Sequence, residues 1–296
     1  MSSPKLKLAV GFASTGRREL LSRMILDLVC QTRQPDYVII CVARDDDLDE
    51  EISVRVPFKV EITDRVQGLT KQRNKILAAA RDAEIIVFFD DDFLPACSYL
   101  ANLERCFYQN EDVVAASGNV IADGVTGPGI ELSDAYSLLR QSDAQPDRIS
   151  NQYNAYGCNM AVRSATVREN EIWFDENLPL YGWLEDVDFC RRLACFGRVI
   201  KADELVGVHL GAKGGRTSGC RFGYSQIANP IYLWKKGSLH FDRALAQMIR
   251  NTSANFRGAL RPEPWVDRRG RVQGNLRALR HLFTGELDPR RILEFD

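Results

Sequence analysis

Three consecutive aspartates, Asp90, Asp91 and Asp92, close an apolar run over residues 84–89, and Phe93-Leu94-Pro95 follows them. The run is β-branched and aromatic, which reads as a buried strand. Carboxylates crowded at the tip of such a strand repel one another. A divalent cation held by hard oxygen ligands relieves the repulsion, and strand ends of this kind line the ligand crevice of an open α/β sheet. The competing reading is a solvated turn whose acids cap the next helix. Two facts favour the cation: the strand is wholly apolar, and three acids exceed what capping needs. Asp90 and Asp92 are the expected ligands.

The elements that must carry this tip alternate strand with helix. Residues 6–13 read as a first buried strand, and Ser14-Thr15-Gly16 as a turn into a helix with Leu20, Leu21, Met24, Ile25, Leu28 and Val29 on one face. Residues 37–42 form a second strand and 44–51 a charged loop. A helix over 67–81 precedes the acidic strand, another runs from after Pro95 to about 109, and 113–119 is again a strand. Residues 122–150, rich in Gly, Pro, Asp and Ser, read as long loops around a short helix. Trp183-Leu184-Glu185-Asp186 leads into a helix ending near Phe196-Gly197. Two short strands, 199–202 and 206–209, lead to a Gly-rich basic loop over 213–223. In that loop Lys213 and Arg216 are either phosphate-closing cations or plain solvated charge. The alternation predicts an α/β fold with a Rossmann-like, mostly parallel sheet flanked by helices, and helices dominate from Tyr224 onward. The expected division is a catalytic domain over 1–223 and a helical C-terminal extension over 224–296.

Bulk properties narrow the function. The 296 residues are 45% hydrophobic, with a formal net charge of −1, so a full core is available and nothing calls for nucleic acid. Residues 243–296 depart from the average, with 11 arginines, no lysine and 6 acids. Basic helices of that composition either rest on anionic membrane or simply cap the catalytic domain. Residues 1–7 are polar, and no stretch is apolar enough to span a bilayer, so a cytoplasmic location is expected. The eight cysteines show no paired metal-binding spacing and read as reduced, mostly buried thiols.

At five places in order the chain resembles the family-2 glycosyltransferases of the GT-A fold. Phe88-Phe89-Asp90-Asp91-Asp92-Phe93-Leu94-Pro95 is similar to that family's DxD segment, and Gly68-Leu69-Thr70-Lys71-Gln72-Arg73-Asn74 to the element before it. Gly157-Cys158-Asn159-Met160-Ala161-Val162-Arg163 resembles its "G-x-N-M-A-x-R" segment, and Glu185-Asp186-Val187-Asp188-Phe189-Cys190-Arg191-Arg192 its "E-D-x-D-F-x-x-R" segment. Val208-His209, with Gly-rich sequence after it, resembles the late metal-binding histidine.

The resemblance implies a nucleoside diphosphate sugar as donor, a glycan or lipid-linked glycan hydroxyl as acceptor, and surface polysaccharide synthesis at the inner face of a membrane. It implies Mn²⁺ or Mg²⁺ on Asp90, Asp92 and His209, a hard oxygen and nitrogen set, with Asp91 beside the donor. Asp186 is the implied base of an inverting transfer, helped by its place near a helix amino terminus, and Glu185 is the alternative base. Asp188 stands one turn from Arg191 and Arg192, as a helix salt bridge would. The loop with Thr15 and Arg17 stands where the family reads "P-T-x-N-R", without its Pro and Asn. Asp45 is the counterpart of the acid that reads the base, displaced outward, and Arg73 either reaches the diphosphate or stabilises the loop. Three other classes compete. A sugar nucleotidyltransferase wants a Gly-rich triphosphate loop after the first strand, where only Gly11 and Gly16 occur. A non-catalytic nucleotide-sugar-binding protein has no need of the Glu185-Asp186 pair. A glycoside hydrolase also uses two carboxylates, but needs neither nucleotide site nor acidic triplet.

Overall fold

The computed structural model describes residues 5–142, 145–214 and 217–295. The chain divides into two compact units, one of residues 1–67, 71–173 and 192–215, the other of 68–70, 174–191 and 216–296.

The first unit is built on one sheet. In chain order its strands are β1 (Leu8–Ser14), β2 (Tyr37–Val42), β3 (Lys59–Ile62), β4 (Ile85–Asp90), β5 (Phe93–Pro95), β6 (Val113–Asp123), β7 (Ile149–Asn151), β8 (Asn159–Arg163) and β9 (Arg198–His209). They lie in the order β3-β2-β1-β4-β8-β6-β9-β5, with β7 paired to β9. The β3-β2-β1-β4 block is parallel, as expected where buried apolar strands alternate with helices. β8 enters antiparallel to β4. The helices of this part of the chain are α1 (Arg18–Asp27), α2 (Leu69–Ala79), α3 (Tyr99–Gln109), α4 (Leu132–Gln141) and α5 (Ser164–Glu169).

The period-2 pattern of β1 and β4 sends Val10, Phe12, Val87 and Phe89 to one face, where they bury with Leu21, Met24 and Ile25 of α1 and Leu100, Leu103 and Phe107 of α3. Rings of Phe12, Phe93 and Tyr99 surround Phe89 at 5.2–6.2 Å, so the acidic tip stands on a rigid aromatic base. On the other face α2 lies so close to β1 that a Cβ on Gly11 would come within 2.6 Å of Ile76.

Several elements differ from the sequence expectation. The two strands expected over 199–209 are one, β9. The intervening Asp203 and Glu204 sit in a buried strand because Arg148 and Lys201 neutralise the first and Arg105 the second. β6 continues past 119 to Asp123, α4 is ten residues long, and β3, β5, β7 and β8 lie outside the expected set. These four are three to five residues long and rely on neighbouring strands rather than on an internal pattern.

The second unit holds most of α6 (Glu185–Leu193), then α7 (Gly219–Lys236), α8 (Phe241–Leu260) and α9 (Arg268–Phe283). Its core is Tyr224, Ile227, Ala228, Ile231, Ala278, Ile292 and Phe295. The Gly-rich stretch read as a loop to 223 is already helical from Gly219, capped by Ser218. Its glycines serve packing: a Cβ on Gly223 would lie 2.1 Å from the Arg271 carbonyl, and one on Gly274 2.0 Å from that of Cys220. α7 and α9 touch backbone to backbone, as small residues four apart permit. No helix among the described residues is long and apolar enough to cross a membrane, and all eight cysteines are free.

Candidate metal and donor site

Strand register assembles the site in the first unit. In β1 and β4, Ala13 pairs with Asp90, so Ser14 and the acidic tip emerge together. The chain then reverses through Asp91 and Asp92 into β5, where Phe93 pairs with His209 of β9. His209 in turn pairs with Asp123 at the end of β6. Four distant segments thus deliver their last side chains to one edge.

One ligand atom each from Asp90, Asp92 and His209 lie within 4.8 Å of one another. His209 Nε2 is 3.2 Å from Asp92 Oδ1 and 3.9 Å from Asp90 Oδ2. Ligand atoms on one small octahedral cation sit about 3 Å apart when adjacent and about 4 Å when opposite, so the spacing fits a divalent ion. The groups behind the histidine fit as well. His209 Nδ1 faces Asp123 Oδ1 at 3.2 Å and the Tyr156 hydroxyl at 3.4 Å, and that hydroxyl donates to Asp123 Oδ2 at 2.9 Å. A carboxylate on Nδ1 fixes the tautomer that leaves Nε2 for a metal. Asp92 and His209 are buried, whereas Asp90 is 32% exposed and opens the cluster to a ligand.

Electrostatics follow from this crowding. Burial works to lower the His209 pKa, but Asp123, Asp92 and Asp90 push it up to about 10. Burial likewise works to raise Asp92, yet His209, Arg17 and the Ala212 N–H hold it below the usual carboxylate value. The ion-free cluster therefore carries an imidazolium at neutral pH, and a cation binding at Nε2 displaces its proton.

Asp91 turns the other way. It accepts hydrogen bonds from Ser14 Oγ at 2.5 Å and Arg17 Nη1 at 2.6 Å. Burial pushes its carboxyl up to about 6 against the pull of Arg17. Arg17 also donates to the carbonyls of Ala212 and Gly214, and Ala212 N–H donates to Asp92 Oδ2 at 2.7 Å. Asp91 and Arg17 thus tie the segment after β9 to the acidic tip. Arg17→Ala strands an ionised carboxylate in the interior and should lower unfolding free energy by about 3 kcal/mol. Removing Arg17 raises the folded Asp91 pKa further above its parental value of about 6, and an acid with a raised folded pKa weakens the fold as pH rises through that value, so the deficit should be small near pH 4 and large near pH 8. Urea unfolding at the two pH values measures it, and an equal deficit at both would contradict an Asp91 origin.

The remaining expected residues are placed as follows. Arg73 is buried, donates to Asp90 Oδ1 at 3.2 Å and to the Gly157 carbonyl at 2.8 Å, and lies over the Phe88 ring. Thr15 is exposed beside Gly16, whose φ of 69° turns the loop. Lys213 Nζ donates to the carbonyls of Gly124 and Val125. Asp45 stands apart, 81% exposed and paired with Arg65. Its neighbour Asp47 is the buried acid, accepting from Gly16 N–H at 2.8 Å and from Arg44. Arg216 lies outside the described residues. Sequence reasoning missed Ser14, Asp47, Asp123 and Tyr156. For Asp123 a signal existed, an acid at a strand end, but the strand was expected to stop at 119.

In the second unit Glu185 and Asp186 open α6. Glu185 is buried, Asp186 half-buried, and Asp186 Oδ1 accepts the Val187 N–H at 2.8 Å. The buried Asp188 is held by Lys236 Nζ at 2.9 Å and Ser238 Oγ at 2.6 Å, partners far in sequence. Phe189 stacks on Phe174 at 4.0 Å. The approach to α6 carries left-handed backbone at Leu180, Gly182 and Leu184, with φ of 57°, 64° and 70°. Two leucines held there store strain of the kind found at functional sites.

These features define an α/β fold whose sheet carries an acidic, histidine-completed tip. The model of the family described as "Glycosyl transferase family 2" matches residues 13–169, more than half of the chain, and the chain belongs to that family. It is a glycosyltransferase of the GT-A fold. Residues 1–349 of TarS from S. aureus, crystallised with UDP-GlcNAc, align with a TM-score of 0.59 at 16% identity, covering 97% of this chain and 83% of that one. GalNAc-T7, crystallised with UDP, GalNAc and Mn²⁺, aligns with a TM-score of 0.58 at 12% identity, covering 99% and 57%. A longer TarS chain aligns with a TM-score of 0.52 at 15% identity, covering 76% of this chain but only 39% of its own length. At such identities the likeness is one of fold. No curated protein sequence matches the chain.

Proposed function

We propose that the protein is a metal-dependent, inverting glycosyltransferase that moves a sugar from a nucleoside diphosphate sugar to a hydroxyl of a glycan or lipid-linked glycan, in surface polysaccharide synthesis. The observation that carries this reading is the convergence of Asp90, Asp92 and His209, from β4, the turn after it and β9. These three would hold Mn²⁺ or Mg²⁺, which when bound offsets the negative charge gathering on the departing diphosphate. Asp123 orients His209, and the Asp91–Arg17 pair orients the loop that ends at Ala212. Arg73 holds Asp90 and adds positive charge on the donor side.

Asp186 is the proposed base. As the acceptor oxygen bonds to the anomeric carbon and the bond to the diphosphate breaks, the hydroxyl proton passes to Asp186. The helix amino terminus favours its ionised form. The anchoring of Asp188 and Phe189 keeps that first turn in place. Single displacement is supported by the state of the other acids. Asp91 holds Ser14 and Arg17, Asp92 and Asp123 hold His209, and Asp90 holds Arg73, so each acid at the tip is engaged rather than poised as a nucleophile. A glycan acceptor is supported by Tyr181 and Trp183, whose near-parallel rings lie 6.5 Å apart, with Phe222 edge-on to both. Aromatic faces of this kind suit the C–H face of a sugar. Eight free thiols fit a reducing compartment, hence a cytoplasmic reaction.

A panel of nucleoside diphosphate sugars, read by release of nucleoside diphosphate, tests the proposal. At least one donor should turn over with Mn²⁺ and stop on chelation. Turnover that survives chelation would remove metal dependence, and uptake of nucleoside triphosphate with sugar phosphate would indicate a nucleotidyltransferase.

A further inference from the structure

α8 exposes an apolar stripe that the fold does not use. Phe241, Leu245, Ile249, Phe256 and Leu260 all face solvent, Phe241 at 53%, Ile249 at 57% and Leu260 at 85% exposure. At about 100° per residue these five fall within an arc of about 100°. The core side of the helix is elsewhere. Ala244 and Asn255 are buried, and Asn255 is pinned by Gln226 at 2.7 Å and Asn275 at 2.9 Å. The stripe therefore lies about a quarter turn from the face that packs, and its outward orientation is fixed. Trp234, itself exposed, extends it from the end of α7, its ring 5.1 Å from that of Phe241.

Arg243, Arg250 and Arg257 stand seven residues apart, exposed, in a row on the polar face, about 130° round the helix from the centre of the stripe. Asp242 is the only acid in the helix. We propose that this face of α8, with Trp234, rests on an anionic lipid surface, apolar side chains in the acyl boundary and the arginine row on the headgroups. The basic polar face, three arginines against one acid, selects an anionic surface as the occupant. The inference does not depend on the glycosyltransferase reading, since none of these residues belongs to the proposed site.

Flotation of the full chain with vesicles tests it. The protein should bind phosphatidylcholine vesicles containing phosphatidylglycerol, bind pure phosphatidylcholine far less, and lose binding as salt is raised. Ile249→Glu with Phe256→Glu should reduce partitioning by about tenfold or more, while circular dichroism and thermal unfolding stay as in the parent. Arg243→Gln, Arg250→Gln and Arg257→Gln together should reduce binding to anionic vesicles and leave any weak binding to neutral ones. Absence of binding by the parent to anionic vesicles at low salt would overturn the proposal. So would unchanged binding by the double glutamate variant, or conversion of a dimer to a monomer by that variant in sedimentation velocity without change at vesicles.

Discussion

Asp92→Asn is expected to lower turnover by about 10³-fold or more, the scale of losing a charged metal ligand. The change keeps the side-chain shape and retains an oxygen for the Ala212 N–H, now bonded at 2.7 Å. What it removes is the charge facing His209 Nε2 at 3.2 Å. With one carboxylate of the cluster gone, the diphosphate must depart against a poorly neutralised field, so the loss falls on the transition state rather than on folding. Steady-state kinetics with saturating Mn²⁺, beside a thermal unfolding curve, separates the two. A variant that folds normally and keeps more than about a tenth of parental turnover would move the cation elsewhere.

Asp186→Asn is the second large effect. Removal of a general base costs about 10² to 10⁴ in turnover, and because Asp186 lies outside the metal cluster, donor affinity should stay within about twofold. Glu185→Gln supplies the comparison. Glu185 is buried where Asp186 is half-buried, so its replacement should act more on stability than on proton transfer. Near-normal turnover in Asp186→Asn, with collapse in Glu185→Gln, would transfer the base to Glu185.

The acidic tip was legible because three like charges after an apolar strand are costly unless something compensates them, and that conflict is visible in one short window. The groups that support His209 were not. Asp123 and Tyr156 acquire meaning only from the β6–β9 register, which brings residue 123 opposite residue 209, and such pairings across long sequence separations leave no local pattern. Asp203 and Glu204 misled in the opposite direction. Two acids normally end a strand, and here Arg148 and Arg105 neutralise them from other segments. The glycines of α7 misled for a related reason. Gly219 and Gly223 read as flexibility but make room for α9, a demand set by a helix about fifty residues later. Arg17 was read as part of the nucleotide loop and Lys213 as either a phosphate-closing cation or solvated charge, whereas both bind backbone carbonyls that shape the site.

The central claim is that Asp90, Asp92 and His209 hold a divalent cation together with the donor's diphosphate. Calorimetric titration of UDP into the parent protein and into Asp92→Asn, each with Mn²⁺ and with chelator, tests it most directly. In the parent, Mn²⁺ should strengthen binding by about tenfold or more. Repeating the titration in buffers of different ionisation enthalpy should show release of about one proton, lost from the His209 imidazolium; in Asp92→Asn the Mn²⁺ effect should vanish. Equal affinity for UDP with and without Mn²⁺ in the parent, or a Mn²⁺ effect that survives intact in Asp92→Asn, would contradict the account.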